Sequence, residues 1–477
     1  MLTAAVVLLI AWGALAFGSV YPWAYTPLLA GCAATGAVAL FVHRARRFPD
    51  PTRVAVTAAI VVIAAGSLQV IPLPPALLDT LSPASATFLD SHDLGYVFGA
   101  TADPAETETV DARRSWHPLS LAPRDTLVGL GVLAAFTLLL AGMVKALSRS
   151  GSRRLTSSLV IFGVVLALVG IVQKAVLGDH AWAGMKIYGF WPPAHLLSTP
   201  FGPYVNKNHF AGWMLMGVPL ALGFALGLAE QGMRSLQRDW RSVLLWFSSP
   251  QGGRLQLSVM GIVLMVASLL MTKSRSGLGG LVVVLIIMSI AAGRRFQSTR
   301  AGILAFGSLA AVFTIVFAIA GADLAARITD QSDAVDLRKN IWTDSATIFK
   351  DFPFAGTGLN TFGTAMTAYQ TTQKDQHFQE AHNDYIQLLV EGGILLALPA
   401  LVALVLLARA IRGRFTAGQD DTMTHWIRVG ATTGLVAIAL QALVEFSLQL
   451  PGNAAFAVVL LALALHETPQ RRRRSAE

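Results

Sequence analysis

His382 is flanked by two carboxylates, Glu380 and Asp384, where a polar stretch of the chain returns to a long apolar run. An imidazole titrates near neutral pH, so it can accept or donate a proton during a reaction. Histidines at membrane boundaries also serve in packing alone. The position makes His382 a candidate general base, with Glu380 or Asp384 as the group that orients its ring.

Two cations, Lys273 and Arg275, lie in a very short connection between two apolar runs, at 272–277. A guanidinium matches phosphate oxygens, and the start of the following helix adds free N–H donors. The pair therefore predicts a bound phosphate or diphosphate, with lipid headgroups as the alternative partner. The same Ser-Arg-Ser-Gly spelling recurs at 148–151 on the opposite side, so the location of Arg275 carries the prediction.

Further polar side chains stand inside or beside the apolar runs. Glu391 and Glu445 fall within two of them, where a carboxylate usually faces a cavity or a partner. Asn206 and Asn208, with His209 beside them, precede another run. The two asparagines either hydrogen-bond a sugar or cap the helix that follows.

The elements that position these residues are transmembrane helices. Hydrophobic residues make up 54% of the 477 positions and charged residues 13%, against about a quarter charged in soluble domains. The first apolar run could be a signal peptide, but it lacks a basic start and another run follows at once, so we expect it to be retained. Twelve runs are long enough to span a bilayer: 2–18, 25–42, 54–73, 125–144, 156–175, 208–228, 255–272, 277–293, 302–321, 385–407, 427–448 and 452–466.

Charge predicts the orientation of these spans. With the N-terminus in the cytoplasm, every inner connection carries several Lys or Arg residues, and the basic tail 471–474 is also inside. This is the positive-inside pattern. The net charge of +9 then reflects orientation and contact with anionic lipids rather than nucleic-acid binding.

The polar mass lies in three outer segments, 74–124, 176–207 and 322–384, the last with a predicted helix at 334–349. The sequence thus divides into 1–125 (three spans and an outer loop), 126–321 (six spans), 322–384 (a large loop) and 385–477 (three spans and the tail). A single cysteine, Cys32, excludes an intramolecular disulfide and a cysteine metal cluster. We expect neither a metal nor a cofactor.

Several ordered motifs resemble the O-antigen ligase and polymerase family of bacterial cell-envelope proteins. They are 206–212 (Asn-Lys-Asn-His-Phe-Ala-Gly), 274–277 (Ser-Arg-Ser-Gly), Arg338 with Trp342, 353–362 (Pro-Phe-Ala-Gly-Thr-Gly-Leu-Asn-Thr-Phe), and 382–385 leading into 389–393. The resemblance covers most of residues 200–450. It does not separate ligases from polymerases, and residues 1–125 take no part in it.

The resemblance implies an all-α polytopic membrane protein of about twelve spans, a multi-span (GT-C-like) glycosyltransferase with a large, partly helical periplasmic loop. Its donor would be a glycan on undecaprenyl diphosphate, and its acceptor either lipid A–core sugar or another lipid-linked repeat. It would lie in the bacterial inner membrane with both termini cytoplasmic and its site in the periplasm. Carried over by position, Arg275 and Arg338 would hold the diphosphate and His382 would serve the acceptor hydroxyl, with Lys273 reinforcing the anion site.

Such a transfer would be metal-independent and would invert the anomeric centre. Asn206, Asn208, His209, Glu380, Asp384 and Glu445 are the candidate acceptor-binding or orienting residues. A protein ligase is a variant of the same chemistry. The alternative of another class is a transporter or flippase of lipid-linked sugars or small anions, which often shows inverted repeats that this sequence lacks. A non-catalytic scaffold is a third alternative.

Overall fold

The computed structural model describes residues 2–48, 50–98, 115–177, 186–192, 199–234, 240–296, 332–418 and 420–467. These ranges are helical, and their extended pairings are isolated bridges such as Leu73 with His117. The helices are α1 (Leu2–Leu15), α2 (Pro22–Val42), α3 (Asp50–Ser67), α4 (Pro75–Leu81), α5 (Pro83–His92), α6 (Leu94–Phe98), α7 (Pro123–Ala146), α8 (Arg149–Leu177), α9 (Lys207–Arg234), α10 (Trp240–Phe247), α11 (Pro250–Met271), α12 (Arg275–Arg295), α13 (Ser332–Asp351), α14 (Phe362–Tyr369), α15 (Asp384–Thr416), α16 (Thr422–Gln441) and α17 (Pro451–Leu465).

Eight helices of the described ranges are long and apolar enough to cross a membrane. They are α2, α3 with the 3₁₀ turn after it, α7, α8, α9, α11, α12 and α15. Two shorter apolar helices, α1 and α17, accompany them. The chain is therefore an all-α polytopic membrane protein, as predicted. The predicted count of twelve spans is not reproduced, and the span at 302–321 lies outside the described residues.

Helix α9 lies at the centre of the bundle and packs closely along α16. Glycines allow this approach, since a Cβ added at Gly223 would lie 2.3 Å from the carbonyl oxygen of Trp426, and one at Gly430 would lie 2.4 Å from that of Pro219. The two backbones are thus in direct contact. This packing fixes the start of α9 beside the end of α16.

Helix α15 is broken at Gly393, whose φ of 54° lies in the left-handed region that favours glycine. The turn-rich segment 353–358 packs into the break. Its Thr357 N–H donates to the carbonyl of Val390 (3.0 Å), and the N–H of Ile394 donates to Pro353 (2.9 Å). The break therefore ties the segment after α13 directly to the first half of α15.

The predicted end of the span at 427–448 differs from the structure. The span predicted at 427–448 ends as a helix at Gln441, and Pro451 begins α17. The helical conformation is unfavourable for the residue before a proline, so Pro451 helps to separate the two helices. Glu445 therefore lies in the link 442–450 rather than inside a span. The predicted helix at 334–349 is confirmed as α13.

Arg428 is a buried charge within the predicted apolar run 427–448. Its side chain is 1% exposed and lies inside α16. Its Nε and Nη2 donate to the two carboxylate oxygens of Asp420 at 2.7 and 2.9 Å, and Nη1 and Nη2 donate to the carbonyls of Ala464 and His466 at the end of α17. A buried guanidinium needs such partners, and here they fasten the last helix to α16.

Replacing Arg428 by Ala should destabilise the bundle by about 3 kcal/mol, because it leaves the Asp420 carboxylate and the end of α17 without their donor. Thermal unfolding in detergent measures this. Arg409→Ala removes an exposed arginine of α15 and is the matched control. Equal unfolding temperatures for the two variants would contradict the role of Arg428.

Candidate functional site

Helix termini distant in sequence meet at one end of the bundle. Helices α9, α12, α15 and α17 begin there, and α16 ends there. The side chain of Gln441 donates to the carbonyl of Asn208 (3.1 Å) and to Ser276 Oγ (3.3 Å). Asn383 Nδ2 donates to the carbonyl of Leu443 (2.8 Å). These bonds gather candidate residues from four separate segments around the link 442–450.

The carboxylate of Glu445 is the centre of this cluster, and the residue is 1% exposed. Its Oε1 accepts from Arg338, which lies on α13, and from Asn208 Nδ2 at 2.8 Å. Its Oε2 lies 3.7 Å from Nδ1 of His382. One acid thus collects a guanidinium, an amide and an imidazole from three separate segments, of which the amide of Asn208 is 237 positions away in the sequence.

The backbone of His382 has a φ of 51°, in the left-handed region. A non-glycine residue adopts this conformation where its surroundings enforce it, often at functional sites. Phe446 packs edge-on against the ring, with centroids 4.8 Å apart. The indole of Trp342 donates to the carbonyl of Ala381 (2.9 Å) and holds the preceding residue against α13. Phe446 therefore contacts the ring directly, and Trp342 anchors the backbone that precedes it.

The electrostatics of Glu445 follow from its neighbours. Burial alone would raise the pKa of the carboxyl, but His382 and the Arg338 guanidinium outweigh it and bring this pKa below its ordinary value. The carboxylate is consequently charged at neutral pH. At 3.7 Å it is an ion-pair neighbour of His382 rather than a hydrogen-bond acceptor.

Of the two groups predicted to orient His382, Glu380 accepts a hydrogen bond from Gln387, whereas Asp384 makes a backbone contact. Gln387 Nε2 donates to Glu380 Oε2 at 2.7 Å and to Glu391 Oε1 at 3.1 Å. The N–H of Asp384 donates to the carbonyl of Ala442 (2.9 Å). The carboxylate at ion-pair distance from His382 is that of Glu445, from the link 442–450. We attribute this difference to the chain turn at His382, which directs the ring away from its sequence neighbours.

The carboxylate of Glu391 is hydrogen-bonded to backbone groups of the loop. Its Oε2 accepts from the N–H of Asn360 (2.8 Å) and its Oε1 from that of Phe362 (3.2 Å), at the start of α14. Its own carbonyl accepts from Gln69 Nε2 (2.8 Å) and from the N–H of Gly358 (2.9 Å). The sequence leaves open whether this acid faces a cavity or a partner. The structure favours a partner, since these bonds hold the loop segment to α15.

Of the two asparagines at the start of α9, one has the predicted capping role and the other contacts Glu445. Asn206 Oδ1 accepts from the N–H of Asn208 (2.9 Å) and so caps α9. Asn208 instead reaches Glu445. His209 is buried, its ring packs on Phe446 with centroids 4.5 Å apart, and its carbonyl accepts from Asn453 Nδ2 (3.0 Å). His209 and His382 therefore lie on the same phenylalanine.

Arg275 and Lys273 flank the start of α12. Ser274 Oγ accepts from the N–H of Gly277 (3.1 Å) and caps the helix, which makes Arg275 its first residue. Ser276, one residue on, bonds to Gln441 and so places this terminus at the cluster. Lys273 has a φ of 54°, and both cationic residues are exposed. An exposed cationic helix terminus at a buried acid–histidine pair is suited to an anion.

Gln441, Phe446 and Ser447 belong to the cluster but were not identified from the sequence. A polar signal was present, since Gln441 and Ser447 interrupt the apolar run 427–448. Ser447 Oγ and Gln441 Oε1 are the atoms nearest to a Cβ added at Gly212, at 2.8 and 2.6 Å. Glycine is thus required on α9 for these groups to fit. Among the described residues, no group of three or more His, Cys, Asp or Glu side chains is arranged to hold a metal ion.

Comparison with known families matches residues 260–401 to a family model described as O-antigen ligase. The chain contains an O-antigen ligase family domain. This confirms the predicted family and indicates a glycosyltransferase-like activity in a bacterial multi-pass inner-membrane protein. A search of curated proteins finds no match.

The O-antigen ligase domain contains only part of the cluster. Arg275, Arg338 and His382 fall within the matched residues, whereas Asn208 and Glu445 lie outside them. The contacts of Glu445 therefore connect the domain to α9 and to the last helices. The complete arrangement depends on both parts of the chain.

Replacing Glu380 by Gln should change how stability depends on pH. Burial raises the pKa of Glu380 from 4.5 to about 8. Between these values the unfolded chain ionises this group while the folded chain keeps it protonated, so wild-type stability should fall as pH rises through this window. Glu380→Gln keeps an acceptor for Gln387, and its stability should not show this part of the decrease with pH.

Thermal unfolding in detergent at pH 5, 6, 7 and 8 measures the effect. Glu467→Gln, at an exposed carboxylate, is the matched control. A gap between Glu380→Gln and wild type that widens with pH agrees with a buried protonated acid. Parallel curves for the two proteins would show that Glu380 ionises as it does in the unfolded chain.

Proposed function

We propose that this protein transfers a glycan from an undecaprenyl-diphosphate donor to an acceptor at the periplasmic face of the inner membrane, as an O-antigen ligase or polymerase. The supporting observation is the convergence of His382, Glu445 and Arg338 beside the cationic start of α12. The acceptor is lipid A–core sugar in a ligase and another lipid-linked repeat in a polymerase. Both termini are cytoplasmic in this proposal.

The donor's diphosphate is held by Arg275 and Arg338, with Lys273 as a third cation. Guanidinium groups bind phosphate oxygens through paired N–H donors, and the first turn of α12 adds backbone donors. A guanidinium has five N–H donors, so the salt bridge of Arg338 to Glu445 is compatible with a phosphate contact. These charges stabilise the negative charge that grows on the leaving diphosphate.

His382 is the general base. A proton on Nδ1, facing Glu445, leaves the lone pair of Nε2 for the acceptor hydroxyl. The hydroxyl oxygen forms a bond to the anomeric carbon as its proton passes to Nε2. The bond from that carbon to the diphosphate breaks, and the diphosphate leaves with the electron pair. Attack opposite the leaving group inverts the anomeric centre, and no metal takes part.

Glu445 supports this step without touching the substrate. Its negative charge fixes the tautomer of His382 and stabilises the imidazolium that forms during transfer. Asn208 and Arg338 hold the carboxylate in place. Glu380, Asp384 and His209 shape the surroundings of the acceptor.

The decisive experiment uses the full chain in sealed proteoliposomes with undecaprenyl-diphosphate glycan and an acceptor. Wild type should release lipid diphosphate as glycan appears on the acceptor. His382→Ala should reduce this rate by about 10²–10⁴-fold, the usual contribution of a general base, while donor binding persists. His377→Ala changes an exposed histidine of the same loop and should leave the rate unchanged.

Undiminished turnover in His382→Ala would remove this histidine from the chemistry. Movement of intact donor across the bilayer, without release of the diphosphate, would instead identify a flippase. The assay therefore separates glycan transfer from transport of the same lipid-linked substrate.

A further inference from the structure

An aromatic cluster lies outside the site described above, where α1 meets α2. The buried ring of Phe17 is its centre, with the rings of Trp191, Tyr188, Tyr21 and Trp23 at centroid distances of 5.1, 5.7, 5.8 and 5.9 Å. Phe190 stacks on Tyr188 at 6.2 Å. We call these six residues the aromatic platform. Its outer rings are open, since Trp23 is 47% and Phe190 66% exposed.

Two polar groups of the platform, those of Tyr188 and Trp191, are engaged within the protein. Tyr188 Oη donates to the carbonyl of Leu15 (2.7 Å), and Trp191 Nε1 donates to Tyr21 Oη (3.3 Å). The accessible part of the platform therefore includes the rings of Trp23 and Phe190. Tryptophan and tyrosine at a lipid interface commonly use these same N–H and O–H groups toward water and headgroups.

Direct contacts join the platform to the candidate site. Gly18, next to Phe17, lies against Tyr204, where an added Cβ would be 2.9 Å from the ring. Tyr204 Oη donates to Asn453 Oδ1 (2.9 Å), and Asn453 donates to the carbonyl of His209 (3.0 Å). His209 packs on Phe446, as does His382. The platform and the site are thus at the same end of the bundle.

We propose that the aromatic platform binds sugar rings of the glycan chain, as a subsite beyond the transferred bond. The face of a pyranose carries C–H groups with partial positive charge, which stack on the negative face of an aromatic ring. Several such rings in one cluster suit a chain of sugars. The proposal rests on the glycan-transfer function proposed above, because it assigns a further part of the same substrate.

Rigid support is what such a subsite needs. Phe17, Ser19 and Tyr188 have φ values of 61°, 57° and 57°. Left-handed conformations of this kind are retained where packing enforces them. Rings held in this way lose little conformational freedom when a ligand stacks on them.

The test measures binding of a lipid-free, diphosphate-free oligosaccharide by calorimetry, with the full chain in nanodiscs. The oligosaccharide is released by mild acid from the lipid-linked glycan. Trp23→Leu and Phe190→Leu should each weaken its binding roughly tenfold, and Trp23→Phe should retain most of it. Trp116→Leu is the matched control, because Trp116 is also 66% exposed but lies outside the platform. Unchanged unfolding temperatures establish that the variants fold.

A second readout uses transfer kinetics with two donors, a multi-repeat glycan and a single sugar on the same lipid. The platform variants should raise KM roughly tenfold for the long donor and leave kcat and the single-sugar donor unchanged. If both leucine variants bind the oligosaccharide as tightly as wild type, the proposed sugar-binding role of the platform would be overturned. So would equal effects on both donors, or quenching of Trp23 by brominated lipid tails that shows the rings inserted in the bilayer.

The two proposals fail in different ways. Oligosaccharide binding that depends on the platform, in a protein that never releases diphosphate, would reject glycan transfer and leave a glycan-binding membrane protein. Diphosphate release with oligosaccharide binding that is insensitive to Trp23 and Phe190 would reject the platform alone.

Discussion

A buried carboxylate must have partners, and the requirement of Glu445 organises this end of the protein. Removing an acid from water is costly unless cations and hydrogen-bond donors replace the lost hydration. Arg338, Asn208 and His382 supply them from the loop helix α13, from α9 and from the approach to α15. The position of this one side chain thus depends on three segments that are far apart in the sequence. Loss of that acid would leave a guanidinium without its pair.

The surrounding scaffold keeps those segments in register. The broken helix α15 receives the segment 353–358, and Glu391 holds the start of α14. Gln387 joins Glu391 to Glu380 through its side-chain amide. Two acids near His382 consequently differ in charge, since the pKa of Glu445 is lowered by its cations and that of Glu380 is raised by burial to about 8. Environments that separate the pKa values of neighbouring acids are characteristic of sites that handle protons.

The sequence predicts the class of fold because apolar runs of spanning length need no tertiary information. It also selects His382, Arg275 and Glu445 by their residue types and positions, whereas Arg338 is selected by the family resemblance. It does not reveal which of these meet. The group that orients His382 is predicted to be Glu380 or Asp384, two residues away, whereas the Glu445 carboxylate, from another helix connection, lies 3.7 Å from the ring. Sequence proximity is a poor guide where the backbone turns through a left-handed residue.

Hydropathy also predicts that Glu445 lies inside a span, whereas it lies in the link 442–450. An average over a window cannot detect that a buried charged side chain has an oppositely charged partner, as Asp420 is for Arg428 and Arg338 is for Glu445. Helix α16 accordingly ends earlier, and begins with more polar residues, than its hydropathy predicts.

The coupling between Glu445 and His382 tests the central claim most directly. A double-mutant cycle combines Glu445→Gln and His382→Ala and measures kcat/KM for release of lipid diphosphate. If Glu445 acts through the imidazole, the double variant should be no slower than His382→Ala alone. If the two losses instead multiply, Glu445 and His382 act independently, and the acid is not what prepares the histidine for catalysis.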